Sequence, residues 1–296
     1  MVELLKNFRT ISLVGMAKNV GKTTVLNFLA EAFRREEAEN FTLGLTGIGR
    51  DGEKTDLVTH TNKPEIFVTR GTIIATAEGL LPLCDITKEV ICVTDFHTPL
   101  GRVVIVRALS GGFVQIGGAS ITAQMKQLLR LMLALPCDKI LVDGAISRKS
   151  SASPAVTDAT ILCTGASVSR SMQKTITETK HAVEMLSLPL YHDAPDVKNI
   201  HLLGAVTDSH AQTYLAAEKQ NTCLIADDAS KIFLTPAMVE KLRIKGISLA
   251  VRYPVQLVVV TVNPTSPYHA GYDGAEFLAQ MREAVKLPVY DVLRMC

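Results

Sequence analysis

The chain reads as an α/β protein: a mainly parallel sheet with helices on both faces, plus a small α/β insertion late in the sequence. Two observations lead there. Short apolar runs of strand length alternate with amphipathic stretches of helix length, the pattern of repeated strand–helix–strand units. Of 296 residues, 47% are hydrophobic but only 5% aromatic, and none is Trp. A core made so largely of Val, Ile, Leu and Ala is that of strands covered on both sides.

The elements follow in order. Thr10–Val14 is an apolar run, followed by a Gly-bearing loop and a helix over Lys22–Arg34. Val25, Phe28, Leu29, Ala32 and Phe33 fall at helical spacing and give that helix one buried face. Strands are predicted over Phe41–Thr46, Glu65–Val68 and Glu89–Thr94, with an Ala-rich helix at Thr72–Leu80. Gly101–Arg107 and Gly112–Ile116 are β-branched runs joined by a short Gly-rich link, which predicts a hairpin. A helix follows at Ala119–Ala134, stopped by Pro136. Lys139–Asp143 is then a buried strand ending on a carboxylate, and Asp158–Thr164 another, followed by a polar helix to Leu186. Further strands fit Leu202–Val206, Thr222–Ile225, Ile247–Val251, Gln256–Val262 and Leu287–Val292, with a helix at Asp273–Val285. The break at Tyr191–Lys198 divides the chain into residues 1–197, an inserted subdomain at 198–253, and a return to the first domain at 254–296.

Charge and composition exclude several classes. Lys and Arg total 31 against 29 Asp and Glu, a net charge of +2, which lacks the basic footprint of a nucleic-acid binder. The apolar content excludes bulk disorder. No run approaches the ~18 apolar residues of a membrane helix, and the N-terminal apolar run is too short for a signal segment. The six cysteines (Cys84, Cys92, Cys137, Cys163, Cys223, Cys296) show no Cys-x-x-Cys spacing, so reduced thiols and a cytoplasmic location are expected. The histidines, among them His60, His97, His181 and His210, show no ligand or nucleophile–base spacing, and are assigned structural or surface places.

The strongest chemical signal is Val14-Gly15-Met-Ala-Lys18-Asn19-Val20-Gly21-Lys22-Thr23-Thr24, set between a predicted strand and a predicted helix. That is the context of a phosphate-binding P-loop. Gly21 lets backbone amides close round an oxyanion, and the helix start lends them positive partial charge. Lys22 would bridge phosphate oxygens and the Thr23 hydroxyl would ligate Mg²⁺. Gly15, Lys18, Asn19, Val20 and Thr24 complete the expected nucleotide contacts.

Asp143, at the end of an apolar strand, is the expected second Mg²⁺ ligand and catalytic carboxylate. The P-loop resembles those of the SIMIBI class of P-loop NTPases. That resemblance implies an acidic residue after the second strand that approaches the γ-phosphate, the metal or the attacking water, for which Asp51, in the run Gly49–Lys54, is the candidate. Glu53 and Asp56 are substitutes, and an ordinary solvated turn is the competing reading. Arg148 and Lys149, in the small-residue loop after Asp143, could reach phosphates or an acidic partner group, against a plain surface loop. Resemblance to ATPases of the SIMIBI class implies an Asn at the end of a late strand that touches the nucleotide base, and Asn263 is the candidate for it. The Asn-Lys-x-Asp signature of GTP specificity is absent, since Asn62-Lys-Pro-Glu65 ends on Glu. ATP is therefore favoured and GTP left open.

The loop spacing, Gly-x5-Gly-Lys-Thr, resembles that of dethiobiotin synthetase and cobyrinic acid amide synthetase, within the SIMIBI class of P-loop NTPases. The second lysine of the ParA/MinD relatives would fall at Ala17 and is missing. The segments Val142–Pro154 and Ala159–Ala166 resemble proteins grouped with reactivation of lysine 5,6-aminomutase. That resemblance implies an ATPase that acts on a partner protein, a cobalamin-dependent aminomutase, to exchange damaged cofactor. Three functions stay open: an Mg²⁺-dependent ATPase switch read by a partner, an ATP-dependent small-molecule ligase or kinase using Arg50, Arg70 or Lys149, and nucleotide binding without turnover. A homodimer is compatible with each, and neither nucleic acid nor membrane is expected as a partner.

Overall fold

A computed structural model describes residues 1–36, 41–48, 65–145, 156–193, 195–217 and 221–294. It divides into two compact units, Met1–Ile176 with Val258–Cys296, and Thr177–Leu257. The second unit thus begins inside a helix rather than at residue 198.

The first unit opens with α1 (Val2–Leu5), β1 (Thr10–Gly15), α2 (Lys22–Glu36) and β2 (Leu43–Gly47). Then come β3 (Ile66–Val68), β4 (Ile73–Ala77), β5 (Lys88–Thr98), β6 (Gly101–Ala108) and β7 (Gly112–Val114). After α3 (Thr122–Ala134), β8 (Lys139–Ala145) and β9 (Ala159–Gly165), α4 (Met172–Leu186) carries the chain onward. The second unit holds β10 (Lys198–His201), β11 (Val206–Thr207), α5 (Asp208–Ala217), β12 (Thr222–Ala226), β13 (Ile232–Phe233), α6 (Pro236–Ile244) and β14 (Ile247–Val251). The chain returns through β15 (Leu257–Asn263), α7 (Gly274–Ala284) and β16 (Val289–Asp291).

The main sheet has nine strands in the order β16-β15-β9-β1-β8-β2-β4-β6-β5. β1 runs parallel to both β8 and β9, β8 to β2, and β2 to β4. β6 is antiparallel to β4 and to β5. Alternation along the strands dictates the two cores. Ile11, Leu13, Leu141 and Ile161 meet Val25, Leu26, Leu29 and Phe33 of α2 on one face. Ile140, Val142, Ile73 and Ile105 meet Met125, Leu128, Leu129 and Met132 of α3 on the other. Helices therefore cover both faces of the mainly parallel sheet.

This order makes β1 a topological switch point. From β1 the chain passes over the place of β8 to β2, whereas β9 lies on the opposite side of β1. A crevice opens at the carboxyl end of such a strand, where α/β sheets place their ligands.

Two local expectations are corrected. Thr72–Leu80 is not a helix: Ile73–Ala77 is a strand and Glu78–Leu83 a 3-10 turn. Every residue of that strand is buried, so small apolar residues there serve a strand covered on both faces, which periodicity alone cannot tell from a buried helix. The expected hairpin of Gly101–Arg107 with Gly112–Ile116 is also absent. β6 uses both edges, on β4 and β5, and β7 pairs with β3 instead.

The second unit is a small parallel sheet, β10-β12-β14, with the short pair β11-β13 beside it. Leu224, Ala226 and Val251 pack with Met238, Val239 and Leu242 of α6. Thr235 caps α6 by accepting from the Met238 amide, and Pro236 occupies the first turn, the favoured residues for those places. Its hydroxyl and amide donate to the Asp208 carboxylate at 2.7 and 2.8 Å. The expected strand Leu202–Val206 is mostly loop, and α5 and α6 answer to no predicted helix. Among the described residues, no helix is long and apolar enough to cross a membrane.

Candidate functional site

Residues 15–24 form the turn between β1 and α2 at the switch point. Its shape is held by glycine and by close packing. Gly21 has φ +82°, a left-handed backbone, and a Cβ there would sit 3.1 Å from the Val292 side chain and 3.4 Å from the Asn263 Cβ. Gly15 lies under the loop, where a Cβ would come within 3.3 Å of the Ala17 carbonyl and of the Lys22 Cε. Asn19 is also left-handed, at φ 62°, a conformation that Asn tolerates better than most residues. The Met16 amide donates to the Cys163 carbonyl at 3.0 Å and ties the loop's start to the end of β9.

Lys22 is the first residue of α2, and its Nζ is ion-paired with the Asp143 carboxylate. The pairing follows from register. Leu13 of β1 lies opposite Asp143 of β8, two residues before β1 ends, so a side chain reaching back from the helix start meets the neighbouring strand. Asp143 also faces Gly47 of β2, and its carbonyl accepts from the Ile48 amide at 2.7 Å. Lys22 and Asp143 are 17% and 26% exposed, so their charges stand in a crevice of reduced dielectric, where they act more strongly than on open surface. Thr23 and Thr24 occupy the first turn of α2 and are half-buried. The first-turn amides of any helix have no carbonyl partner within it, and here they lie beside the Lys22 cation.

Asn263 reaches the same loop from the end of β15. Its Nδ2 donates to the Asn19 carbonyl at 3.2 Å, and the Ser167 hydroxyl donates to that same carbonyl at 3.3 Å. Its Oδ1 accepts from the Thr265 amide and hydroxyl at 3.1 and 2.8 Å. The Asn19 Nδ2 in turn donates to the Tyr268 phenol at 3.0 Å. His269 donates through Nε2 to the Ala166 carbonyl at 2.7 Å and accepts the Gly271 amide on Nδ1, which requires the neutral Nε2–H tautomer.

Of the residues proposed from sequence, Gly15, Lys18, Asn19, Val20, Gly21, Lys22, Thr23, Thr24, Asp143 and Asn263 lie in or beside one turn at the carboxyl edge. Lys18 is exposed and Val20 buried. Asp51, Glu53, Asp56, Arg50, Arg148 and Lys149 lie outside the described residues. Arg70 precedes β4 and so stands at the amino edge of the sheet, opposite Lys22. Ser167, Thr265, Tyr268 and His269 escaped the sequence reading. Turn-forming Asn-Pro-Thr-Ser-Pro marks a loop after β15, but no local signal tells that it closes on a loop more than two hundred residues away.

Cys163 lies fully buried on β9 beneath this turn. Burial pushes its thiol up to about 11, with Lys22 pulling down and Asp143 pushing up by smaller amounts. It stays a neutral thiol, not a nucleophile. Among the described residues no three His, Cys, Asp or Glu side chains gather round one point. A cation here would draw on one hydroxyl, one carboxylate, phosphate oxygens and water, which is the coordination habit of Mg²⁺.

Fold and site together define an α/β protein with a glycine-shaped turn and a lysine–carboxylate pair at its switch point. Compared with models of known families, with curated proteins and with solved structures, the chain matches none.

Proposed function

We propose that the chain is a P-loop nucleoside triphosphatase of the SIMIBI type, that it binds ATP with Mg²⁺, and that hydrolysis drives a switch acting on a partner protein. The observation that carries this reading is the ion pair between Lys22, at the start of α2, and Asp143, near the end of the neighbouring parallel strand. A polyphosphate satisfies Lys22 and the first-turn amides, and so frees the Asp143 carboxylate. Mg²⁺, when bound, neutralises developing charge on the phosphate oxygens, and Thr23 and Asp143 are the residues that would hold it. Hydrolysis forms a bond from water oxygen to the γ-phosphorus and breaks the bond from that phosphorus to the β–γ bridging oxygen. Lys22 and the turn amides orient the phosphates for in-line attack, and Asp51 remains the candidate for orienting the water.

The partner implied by the resemblance of residues 142–154 and 159–166 is a cobalamin-dependent aminomutase, and the switch would pass through the segments after β2 and β8. The ligase or kinase alternative needs a basic pocket for an acid substrate; Arg70 stands at the opposite edge, and Arg50 and Lys149 lie outside the described residues.

Binding of a fluorescent ATP analogue, with and without Mg²⁺, tests the reading. Lys22→Ala should weaken binding about 100-fold or more, as expected for lost charge-assisted contacts to phosphate. Asp143→Asn should keep binding and lose Mg²⁺-dependent turnover by about 10²-fold or more. Tight binding by Lys22→Ala would remove the phosphate role from this turn.

A further inference from the structure

The geometry points to Asn263 as a positioning residue that sets the shape of the phosphate turn, rather than as a reader of the nucleotide base. The inference rests on the nucleotide reading above but makes a separate structural claim. Each end of the Asn263 amide has a partner. The Asn19 carbonyl can only accept, so the nitrogen faces it at 3.2 Å. The Thr265 amide can only donate, so the oxygen faces Thr265 at 3.1 Å. These partners fix the orientation of the side chain without ambiguity. Asn263 is only 8% exposed, which leaves little of it for a base to meet.

The target of the amide matters more than the count of bonds. Asn19 is the left-handed, non-glycine residue of the turn, and left-handed backbone is costly unless the surroundings hold it. Its carbonyl accepts from Asn263 and from Ser167 together. The strand ends that carry these two donors are locked to each other. The Ala166 amide donates to the Asn263 carbonyl at 2.8 Å, and Gly165 has no room for a Cβ, which would fall 2.4 Å from that oxygen. The clamp is therefore made by the ends of β9 and β15 and grips the turn two residues before Gly21.

The test separates clamp from reader. Affinities of ATP, GTP and inorganic tripolyphosphate are measured for the full chain and for Asn263→Ala, Asn263→Asp and Ser167→Ala. Asn263→Ala should weaken all three about tenfold, the loss of one hydrogen bond's worth of preorganisation, with the ATP:GTP ratio unchanged. Asn263→Asp keeps the acceptor for Thr265 but lacks the donor for Asn19, so it should behave like the Ala variant. Ser167→Ala, which leaves Asn263 in place, should lose less. Amide hydrogen exchange on the ligand-free proteins should quicken in Asn263→Ala at residues 17–21 and at Thr265, whose amide loses its acceptor, and stay unchanged elsewhere. A shifted ATP:GTP ratio with unaltered tripolyphosphate affinity would overturn the clamp, as would unchanged exchange in the turn. A wild-type chain that binds no polyphosphate would instead overturn the nucleotide reading, and the exchange arm would still decide the clamp.

Discussion

The main sheet has two halves that differ in what they bury and in what they can do. In β1, β2 and β9 every residue is buried. β5, at the far end of the antiparallel wing, leaves Val90 and Val93 56% and 44% exposed. Among the described residues, the candidate site lies in the parallel half. Parallel strands must return over the face of the sheet, so each strand ends, and each following helix starts, along the same edge. Lys22 follows β1, Asp143 lies near the carboxyl end of β8 and Asn263 ends β15, so three strands bring them to that one edge. In the wing the chain doubles back between Thr98 and Gly101, so β5 and β6 end on opposite edges. Packing and function thus follow from one choice of strand direction.

Removing side-chain volume puts the largest demand on that contrast. Leu13 is fully buried in β1, under α2 and beside Ile161. Leu13→Ala should destabilise the chain by about 2–5 kcal/mol, the lost transfer energy plus a cavity. Val93→Ala, on the exposed edge, should stay within about 0.5 kcal/mol. Urea unfolding followed by circular dichroism measures both. Equal losses would mean that the wing is buried by something in solution and that the two halves do not differ as described.

Glycine sharpens the comparison at smaller cost. Gly21 and Gly71 both have positive φ, at +82° and +94°, but a Cβ at Gly71 meets nothing within 4 Å. The left-handed backbone alone costs an L residue roughly 1–2 kcal/mol, which is the expected loss for Gly71→Ala. Gly21→Ala should lose more, since its methyl would crowd Val292, and should also weaken nucleotide binding, which Gly71→Ala should leave intact. Thermal unfolding and analogue binding of the two variants give the answer.

How much of this was legible in the sequence follows the same division. The parallel strands around the site are legible because double burial writes them as apolar runs such as Thr10–Val14 and Lys139–Asp143. The turn from Gly15 to Thr24 was visible because glycine, lysine and threonine at that spacing are a local pattern. Ile73–Ala77 carries no periodicity that separates a buried strand from a helix, and the partners of β6 and β7 are a long-range property that no local run encodes. Asn263 was noticed for its strand-end position but its contact was not, since a side chain's partner depends on which loops the fold brings together. The small helices α5 and α6 carry weak apolar stripes, and Thr235-Pro236, a readable start signal, was the clue available for α6.

Thiol chemistry divides the halves once more. Cys163 on β9 is buried and its thiol is pushed up from 9.0 to about 11, mainly by burial. Cys92 on β5 is exposed. Between these two values the folded chain keeps a proton that the unfolded chain has released. Stability from this group is complete below about pH 9 and falls as pH rises toward 11, by roughly 1 kcal/mol per pH unit at most. Cys163→Ala should flatten the fall measured by urea unfolding at pH 9 to 11. Cys137, buried and likewise raised to about 11, adds a similar slope and sets the remainder expected in Cys163→Ala. Alkylation gives the independent check. Iodoacetamide at pH 8, read by peptide mass mapping, should modify Cys92 in the folded chain and Cys163 only in denaturant. Modification of Cys163 at the rate of Cys92 would show that the ends of β1 and β9 open readily, and the parallel half would then lose its claim to be the rigid support on which the turn depends.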